Sequence, residues 1–412
     1  MLNYFRFIPL LLVLSFSAGA QEIIKEKDYD FPEVDYLDST LAVMSLSIPG
    51  GTKYTNVSFA PSPETQPEDL VTFRFFDAQG ESCDDKDRLV FLLTGVGGEH
   101  NENGASYYAA KLAKDCYNVA VIPSIFNSDV LKLISKRGFL SDFSQDSLGF
   151  YQLLGSIKDY IEADMEKPMF SYSVLGYSLG GYTAAEIAKL DETEAVFNFN
   201  KVILVNTPVR LFQSMKVLDK YKKEYLGLGY VRKKYIYARM GKNTYVYRRY
   251  ITTPITFKNF VNDLYFLRTS EKKALLGMSL SSSLFDIMHS SLDLCSAIYG
   301  EEFTYTIYNT TSYRDYIDEF IPYLYQEALG QTITAQELTK INSLERIESF
   351  LAGNKDIYVM HNADDFIVNE KDLEFLANTF KERFTLYPRG GHVGNLWYPK
   401  NMEKVLSILA RN

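Results

Sequence analysis

The sequence is poor in histidine, with four His among 412 residues. Any chemistry that depends on an imidazole must therefore use one of His100, His289, His361 and His392. No C-x-x-C pair and no Cys/His spacing typical of metal ligation is present, so we expect no metal site. The sequence likewise gives no reason to expect an organic cofactor.

Cysteine is also scarce, and three Cys allow at most one disulfide. Cys83 and Cys116 each precede an apolar run that is typical of a strand, so a bridge between them is one alternative. The other alternative is three unpaired cysteines that act as small hydrophobic residues.

Positive charge and long apolar runs are lacking as well. The formal net charge is −9, which disfavours a nucleic-acid partner because binding to a phosphate backbone needs clustered positive charge. Neither G-x-G-x-x-G nor the Gly-Lys-Ser/Thr ending of a P-loop occurs, so nucleotide binding is not expected. Beyond residue 20 no apolar run approaches the roughly 20 residues of a membrane span, and we expect no transmembrane segment in the mature chain.

What is present begins with a targeting segment. Arg6 precedes an apolar run from Ile8 to Phe16, and Ala18-Gly19-Ala20 fits a cleavage site for small residues. We therefore predict a signal peptide over 1–20 and an exported protein, periplasmic or secreted.

The rest of the chain alternates short apolar strands with helices. Runs at 41–48, 54–59 and 70–76 predict β structure, and from Arg88 onward strands and helices alternate until Val205. The alternation resumes after Asn354, with a strand at 356–360. This pattern predicts an α/β fold with a mostly parallel sheet and antiparallel N-terminal strands.

Residues 209–340 interrupt the alternation and are expected to be mainly helical. They hold 16 of the 31 Tyr and carry 18 basic against 13 acidic residues. We divide the chain into the signal peptide (1–20), a lead (21–38), a core segment (39–208), an inserted lid or cap (209–340) and a second core segment (341–412). The lid could cover an apolar or anionic substrate or contact a membrane surface peripherally, or be a solvated face over a Tyr-rich core.

The most informative motif is G-x-S-x-G at 176–180, between an apolar strand and a helix. A Ser at such a junction lies on a sharp turn that exposes its Oγ, and small flanking residues such as Gly176 and Gly180 let the turn form. Ser178 is therefore a candidate nucleophile. The Leu179 N–H, directly after it, is a candidate donor to an oxyanion.

A Gly-rich loop follows the first parallel strand, in the segment Thr94-Gly95-Val96-Gly97-Gly98. Gly95 and Gly97 would let this loop turn tightly and aim the Val96 N–H at the same oxyanion. A tight strand-to-helix turn is the alternative interpretation.

An acid and a base follow the insertion in the required order. Asp364 and Asp365 lie in the loop after the predicted strand at 356–360, and His392 lies 27 residues after Asp365 in a Gly-rich loop. Nucleophile, then acid, then His is the order of a nucleophile-elbow hydrolase. His100 and His361 are expected to play supporting roles, and His289 a structural one.

With these motifs the chain resembles the α/β-hydrolase superfamily over about 39–208 and 341–412, and its Gly390-Gly-His-Val-Gly segment is similar to that of YheT-like bacterial esterases. The resemblance implies Ser178 as nucleophile, His392 as general base and Asp365, rather than Asp364, as orienting acid. It departs from the superfamily at Thr94, where a His is common.

The chemistry of these residue types predicts a serine hydrolase that cleaves small-molecule carboxylic esters, with acyl or lipid-type esters favoured. A peptidase that uses the same triad, or a binding or surface protein that keeps the scaffold without turnover, are the alternatives.

Overall fold

A computed structural model describes residues 22–61, 70–79, 83, 87–135, 139, 141–165, 171–247, 253–290 and 311–411. The predicted signal peptide, Cys295 and the His289 side chain lie outside the described residues.

The described residues contain a nine-stranded sheet with the order β1-β9-β8-β7-β6-β4-β5-β3-β2. Its strands are β1 (Glu22–Ile23), β2 (Thr55–Phe59), β3 (Val71–Phe76), β4 (Arg88–Leu93), β5 (Asn118–Ile122), β6 (Ser171–Tyr177), β7 (Lys201–Val205), β8 (Ile357–Asn362) and β9 (Phe384–Tyr387). β3 is antiparallel to both β2 and β5, and every other pair is parallel. This architecture confirms the predicted α/β-hydrolase fold.

Helices cover both faces of the sheet. Those of the N-terminal part are α1 (Glu26–Tyr29), α2 (Tyr36–Val43), α3 (Asn103–Lys114), α4 (Ser128–Ile134), α5 (Phe143–Asp164) and α6 (Leu179–Glu194). Those after the inserted segment are α14 (Glu348–Gly353), α15 (Glu370–Phe380) and α16 (Pro399–Leu409). Along β4 the side chains of Leu89 and Phe91 join one hydrophobic cluster, while Val90 and Leu92 join the other. Strands buried on both faces explain the continuous apolar runs of the sequence.

In the inserted segment, all the long elements that the structure describes are helices. Between β7 and β8 the chain forms α7 (Leu211–Leu226), α8 (Tyr230–Tyr247), α9 (Pro254–Asp263), α10 (Thr269–Ser290), α11 (Tyr313–Asp315), α12 (Ile321–Leu329) and α13 (Ala335–Ile341). α10 packs along α7 so closely that a Cβ on Gly277 would lie 2.2 Å from the backbone carbon of Tyr221. No helix among the described residues combines the length and hydropathy that a membrane crossing requires.

The predicted strand at 41–48 is wrong, because α2 spans Tyr36–Val43 instead. The Asp35 carboxylate accepts a hydrogen bond from the Leu37 N–H and so caps the helix at its N-terminus. Residues 37–43 are all buried. The run is apolar because this short helix is buried, and periodicity alone does not distinguish a short buried helix from a strand.

Residues before α2 also belong to the packed core. β1 pairs in parallel with β9, and Tyr29 and Phe31 are fully or almost fully buried against Tyr398. α10 reaches this N-terminal layer through an ion pair between Lys272 and Asp38, at 2.6 Å. The two ends of the core and the inserted helices therefore meet beside α2.

Cys83 and Cys116 form a disulfide, which decides between the two alternatives left by the sequence. It joins the segment before β4 to the turn before β5.

Candidate active site

Ser178 occupies a one-residue turn between β6 and α6. Its backbone has φ 55° and ψ −126°, a conformation that L residues rarely adopt. A Cβ on Gly176 would lie 2.0 Å from the Gly180 carbonyl oxygen, and one on Gly180 would lie 2.2 Å from that of Leu93. The two glycines are therefore required by close backbone approach, and the strained turn directs Ser178 out of the sheet edge.

A chain of hydrogen bonds connects Ser178, His392 and Asp365. The Ser178 Oγ lies 2.8 Å from His392 Nε2, and His392 Nδ1 lies 3.0 and 3.2 Å from the two Asp365 carboxylate oxygens. With its proton on Nδ1, the imidazole donates to Asp365 and can accept the hydroxyl proton of Ser178. All three side chains are buried.

The environment of Asp365 favours its ionised form. Burial raises the pKa of Asp365, but the charge of and hydrogen bond from His392, with further help from His361, outweigh burial and bring the pKa below its ordinary value. Asn206 Nδ2 donates to Asp365 Oδ2 at 2.8 Å, and the Ile367 N–H donates to Oδ1 at 3.1 Å. Asp365 is thus held as a carboxylate with a fixed orientation toward the imidazole.

Asp364 has a different position from its neighbour. Its Oδ1 accepts a hydrogen bond from the Gly391 N–H at 2.8 Å, directly before His392. Burial raises the pKa of Asp364 to about 6 despite hydrogen bonds from Gly390 and Gly391. Asp364 therefore supports the loop of residues 388–398 that carries His392, called the histidine loop below, whereas Asp365 contacts the imidazole.

The two amides expected to bind an oxyanion belong to elements on either side of Ser178. Leu179 is the first residue of α6, where an N–H has no partner within the helix. Val96 lies in the loop after β4, between Gly95, where a Cβ would come 3.1 Å from the Ser178 Cβ, and Gly97, which has φ +69°. The loop can approach the serine only because these positions lack side chains.

Several residues around His392 had no assigned role in the sequence. The His392 N–H donates to Thr40 Oγ1 at 2.9 Å, and Asn362 Nδ2 donates to the Gly391 carbonyl at 2.8 Å. Asn395 connects Asn362 to Tyr29, donating to both side chains. Asn206 and Asn362 end parallel strands or follow them directly, a position typical of functional residues, whereas Thr40 lies on α2, a helix that the sequence did not predict.

The structure also describes the side chains of two other histidines, His361 and His100. His361 is fully buried, with Nε2 3.2 Å from the Thr207 carbonyl and Nδ1 3.9 Å from Asp365 Oδ2. Burial lowers the pKa of His361 and also that of His100. Neither lines a cavity at the site.

Two cavities of very different size meet at Ser178, and both are lined by Val96, Ser178, Leu280 and His392. The outer cavity has a volume of about 490 Å³ and includes the exposed residues Met44, Gly97, Asn101 and Asn103. The inner recess has a volume of about 30 Å³. Its other lining residues are Phe126, Leu179, Pro208, Leu211, Ser214, Met215, Leu218 and Ile367, all buried.

The outer cavity also contains a carboxyl group that the sequence did not single out. Glu102 Oε2 accepts a hydrogen bond from the Tyr177 hydroxyl at 2.6 Å, and Tyr177 directly precedes Ser178. Burial raises the pKa of Glu102 to about 7, although the hydrogen bond from Tyr177 opposes this. Within the described residues no three His, Cys, Asp or Glu side chains cluster as a metal ion would require.

Comparison with known proteins gives likeness in structure only. No family model and no curated protein matches the sequence. Solved structures that resemble the chain include esterase B of Lactobacillus rhamnosis (13% identity, 90% of this chain and 88% of that one, TM-score 0.40) and Est1E of Butyrivibrio proteoclasticus (10%, 86% and 99%, 0.40). The acylaminoacyl peptidase of Pyrococcus horikoshii is also similar (11%, 87% of this chain, TM-score 0.39), but the match spans only 41% of that longer chain. At TM-scores of 0.40 or less the roles of the site residues depend on the geometry of this chain alone.

Proposed function

We propose that this protein is an exported serine hydrolase that cleaves carboxylic esters through an acyl-enzyme on Ser178. The observation that carries the proposal is the continuous set of hydrogen bonds from Ser178 through His392 to Asp365. An isolated Ser hydroxyl is a weak nucleophile, and an adjacent imidazole held by a carboxylate is the arrangement that activates it.

Each step has a group in position. His392 Nε2 takes the Ser178 proton as Oγ attacks the ester carbonyl, and Asp365 stabilises the imidazolium. The Leu179 and Val96 amides stabilise the tetrahedral oxyanion, each donor contributing roughly 3 kcal/mol to lowering the barrier. His392 then protonates the departing alcohol, and water, activated by the same imidazole, releases the acid.

The two cavities support a division of the ester between them. The alcohol leaves before water enters, so it must occupy the side that opens to solvent, which is the outer cavity. The acyl group then occupies the inner recess, whose volume of about 30 Å³ suits a short chain. This favours short acyl groups over the lipid-type esters expected from the sequence.

Export is part of the proposal and is supported by the Cys83–Cys116 disulfide, because disulfides persist mainly in oxidising compartments. Periplasmic and secreted destinations are both consistent with it.

The test is the Ser178→Ala variant of the mature chain. We expect it to lose hydrolysis of p-nitrophenyl acetate and labelling by a fluorophosphonate, while the wild type shows both. Undiminished labelling of Ser178→Ala would rule out Ser178 as nucleophile. A folded wild type that hydrolyses no ester but captures one stable partner would favour a non-catalytic scaffold, and cleavage of aminoacyl amides in preference to esters would favour a peptidase.

A further inference from the structure

Glu102 gives the outer cavity an unusual charge. The side chain is surrounded by protein but partly accessible through the cavity, and one carboxylate oxygen accepts a hydrogen bond from the Tyr177 hydroxyl. Among the described residues that line this cavity, Glu102 is the sole Asp or Glu, and none is Lys or Arg. The carboxyl group thus faces the substrate space without a cation from the cavity wall.

A buried carboxylate without a cationic partner is unfavourable, and it gains most from a ligand that brings a positive charge. The polar neighbours in the cavity, Asn101, Asn103 and Ser279, are neutral and would not supply that charge. An anionic group would instead meet a like charge at short range. Burial, together with the charge of the neighbouring Glu99, raises the pKa of Glu102 to about 7, which is consistent with this lack of compensation.

Glu102 lies on the side of Ser178 from which the alcohol departs. The outer cavity contains the exposed residues Asn101 and Asn103 on either side of Glu102, whereas the inner recess contains none that is exposed. Glu102 would therefore contact the alcohol part of the ester rather than its acyl part.

We propose that Glu102 selects esters whose alcohol part carries a positive charge, such as a quaternary ammonium group. This inference rests on the proposed ester hydrolysis and adds the substrate class. A carboxylate that faces an ammonium group in a partly enclosed cavity favours binding by both charge and desolvation.

A positioning role is the competing explanation for Glu102. Its partner Tyr177 packs against Gly95, where a Cβ would lie 3.3 Å from the Tyr177 ring, so Glu102 contacts the loop after β4 indirectly. Loss of a positioning residue would slow all esters alike, whereas loss of a charge-selecting residue would slow mainly the cationic ones. The two roles are therefore separable by substrates of equal shape and different charge.

The experiment compares three acetates that differ in one substituent: 3-acetoxy-N,N,N-trimethylanilinium, its neutral isostere 3-tert-butylphenyl acetate, and 3-acetoxybenzoate. The measurement is the ratio of kcat/KM for the cationic ester to that for the neutral ester, in the wild type and in Glu102→Gln. Comparison of the same pair in two proteins cancels differences in leaving-group reactivity. Gln keeps an acceptor for the Tyr177 hydroxyl and removes the charge.

We expect Glu102→Gln to lower this ratio roughly tenfold or more and to raise the relative rate for the anionic ester. Asp115→Asn is the control: it removes an exposed carboxylate directly after the C-terminus of α3 that does not line the cavity, and it should leave the ratio within about twofold. Fluorophosphonate labelling of both variants reports whether the serine site is intact.

An unchanged ratio in Glu102→Gln, with the wild type active on the neutral ester, would overturn this inference and leave the proposed function standing. Equal losses on all three esters would assign Glu102 a positioning role instead. A wild type that hydrolyses neither the cationic nor the neutral ester would contradict the proposed function, and the inference with it.

Discussion

At the scale of single residues, two adjacent carboxyl groups have different environments. Asp365 is kept ionised by His392 and accepts hydrogen bonds from Asn206 and Ile367, whereas burial without a cation raises the pKa of Asp364 to about 6. The two side chains therefore have different roles although the residues are adjacent in the sequence. One orients the imidazole, and the other fastens the loop that carries it.

The two environments predict that the same change, Asp to Asn, has effects of very different size at the two positions. Asp365→Asn should lower kcat/KM for p-nitrophenyl acetate by roughly 10³–10⁴-fold, since the amide cannot stabilise the imidazolium. Asp364→Asn keeps an oxygen acceptor for the Gly391 N–H and should retain activity within a few-fold. Equal loss in both variants would contradict the separate roles.

The raised pKa of Asp364 also predicts how stability depends on pH. In the unfolded chain the carboxyl ionises near its ordinary pKa of 3.8, and in the folded chain near 6. The folded state therefore binds this proton more tightly, and the contribution of Asp364 to stability falls as pH rises from about 4 to about 6. Because Asp364→Asn lacks this titration, urea unfolding should show it gaining about 1–2 kcal/mol relative to the wild type at pH 8 and little at pH 4.

At the scale of elements, α2 packs directly against the histidine loop and stabilises it. A Cβ on Gly394 would lie 2.4 Å from the Ser39 backbone carbon, and one on Gly391 would lie 2.2 Å from the Tyr36 carbonyl oxygen. The loop therefore rests directly on the helix backbone. The Thr40 hydroxyl also holds the loop against α2 by accepting a hydrogen bond from the His392 N–H.

This contact predicts that a single methyl group disturbs the site. Gly394→Ala should push the loop away from α2, lower kcat/KM at least tenfold and destabilise the fold by about 1–3 kcal/mol. Gly353→Ala is the control, since a Cβ there meets no atom within 4 Å. Both variants are compared by ester hydrolysis and by urea unfolding. Normal activity in Gly394→Ala would show that the loop tolerates displacement.

Motifs whose chemistry requires a local backbone conformation were predictable from the sequence. The serine turn needs Gly176 and Gly180 next to it, and order along the chain placed Asp365 and His392 after the insertion. The roles of Thr40 and Asn206 were not predictable, because they arise from tertiary contacts across 352 and 159 residues. Periodicity failed at α2 for a related reason: residues 37–43 are all buried, so no solvent-exposed face gives the sequence a helical period.

At the scale of the whole molecule, an excess of positive charge and much of the exposed apolar surface lie on the inserted helices. α8 contains five Lys or Arg and no Asp or Glu. Val231 and Tyr230 on α8 are 80% and 70% exposed, and Tyr265 is 81% exposed. Basic residues interleaved with exposed Tyr and Val are typical of surfaces that contact anionic lipid headgroups.

We predict that the protein sediments with vesicles that contain anionic phospholipid and not with neutral phosphatidylcholine vesicles. Binding should weaken as salt is raised, since exposed charges are screened. Lys233→Gln with Lys234→Gln should weaken it several-fold, whereas the same exchange at the exposed residues Lys355 and Lys371 on the core should not. Equal binding to both kinds of vesicle, or equal effects of both pairs, would contradict a lipid contact through α8.

The contact between α2 and the histidine loop also has a consequence for the timing of activity. His392 is synthesised 352 positions after Thr40, and β1 pairs with β9, which follows it by a similar distance along the chain. A chain still emerging from the ribosome or being translocated contains the serine turn without its base. The hydrogen bonds around Ser178 therefore form only after His392 has been synthesised and its loop has packed against α2, a segment that precedes it by 352 positions.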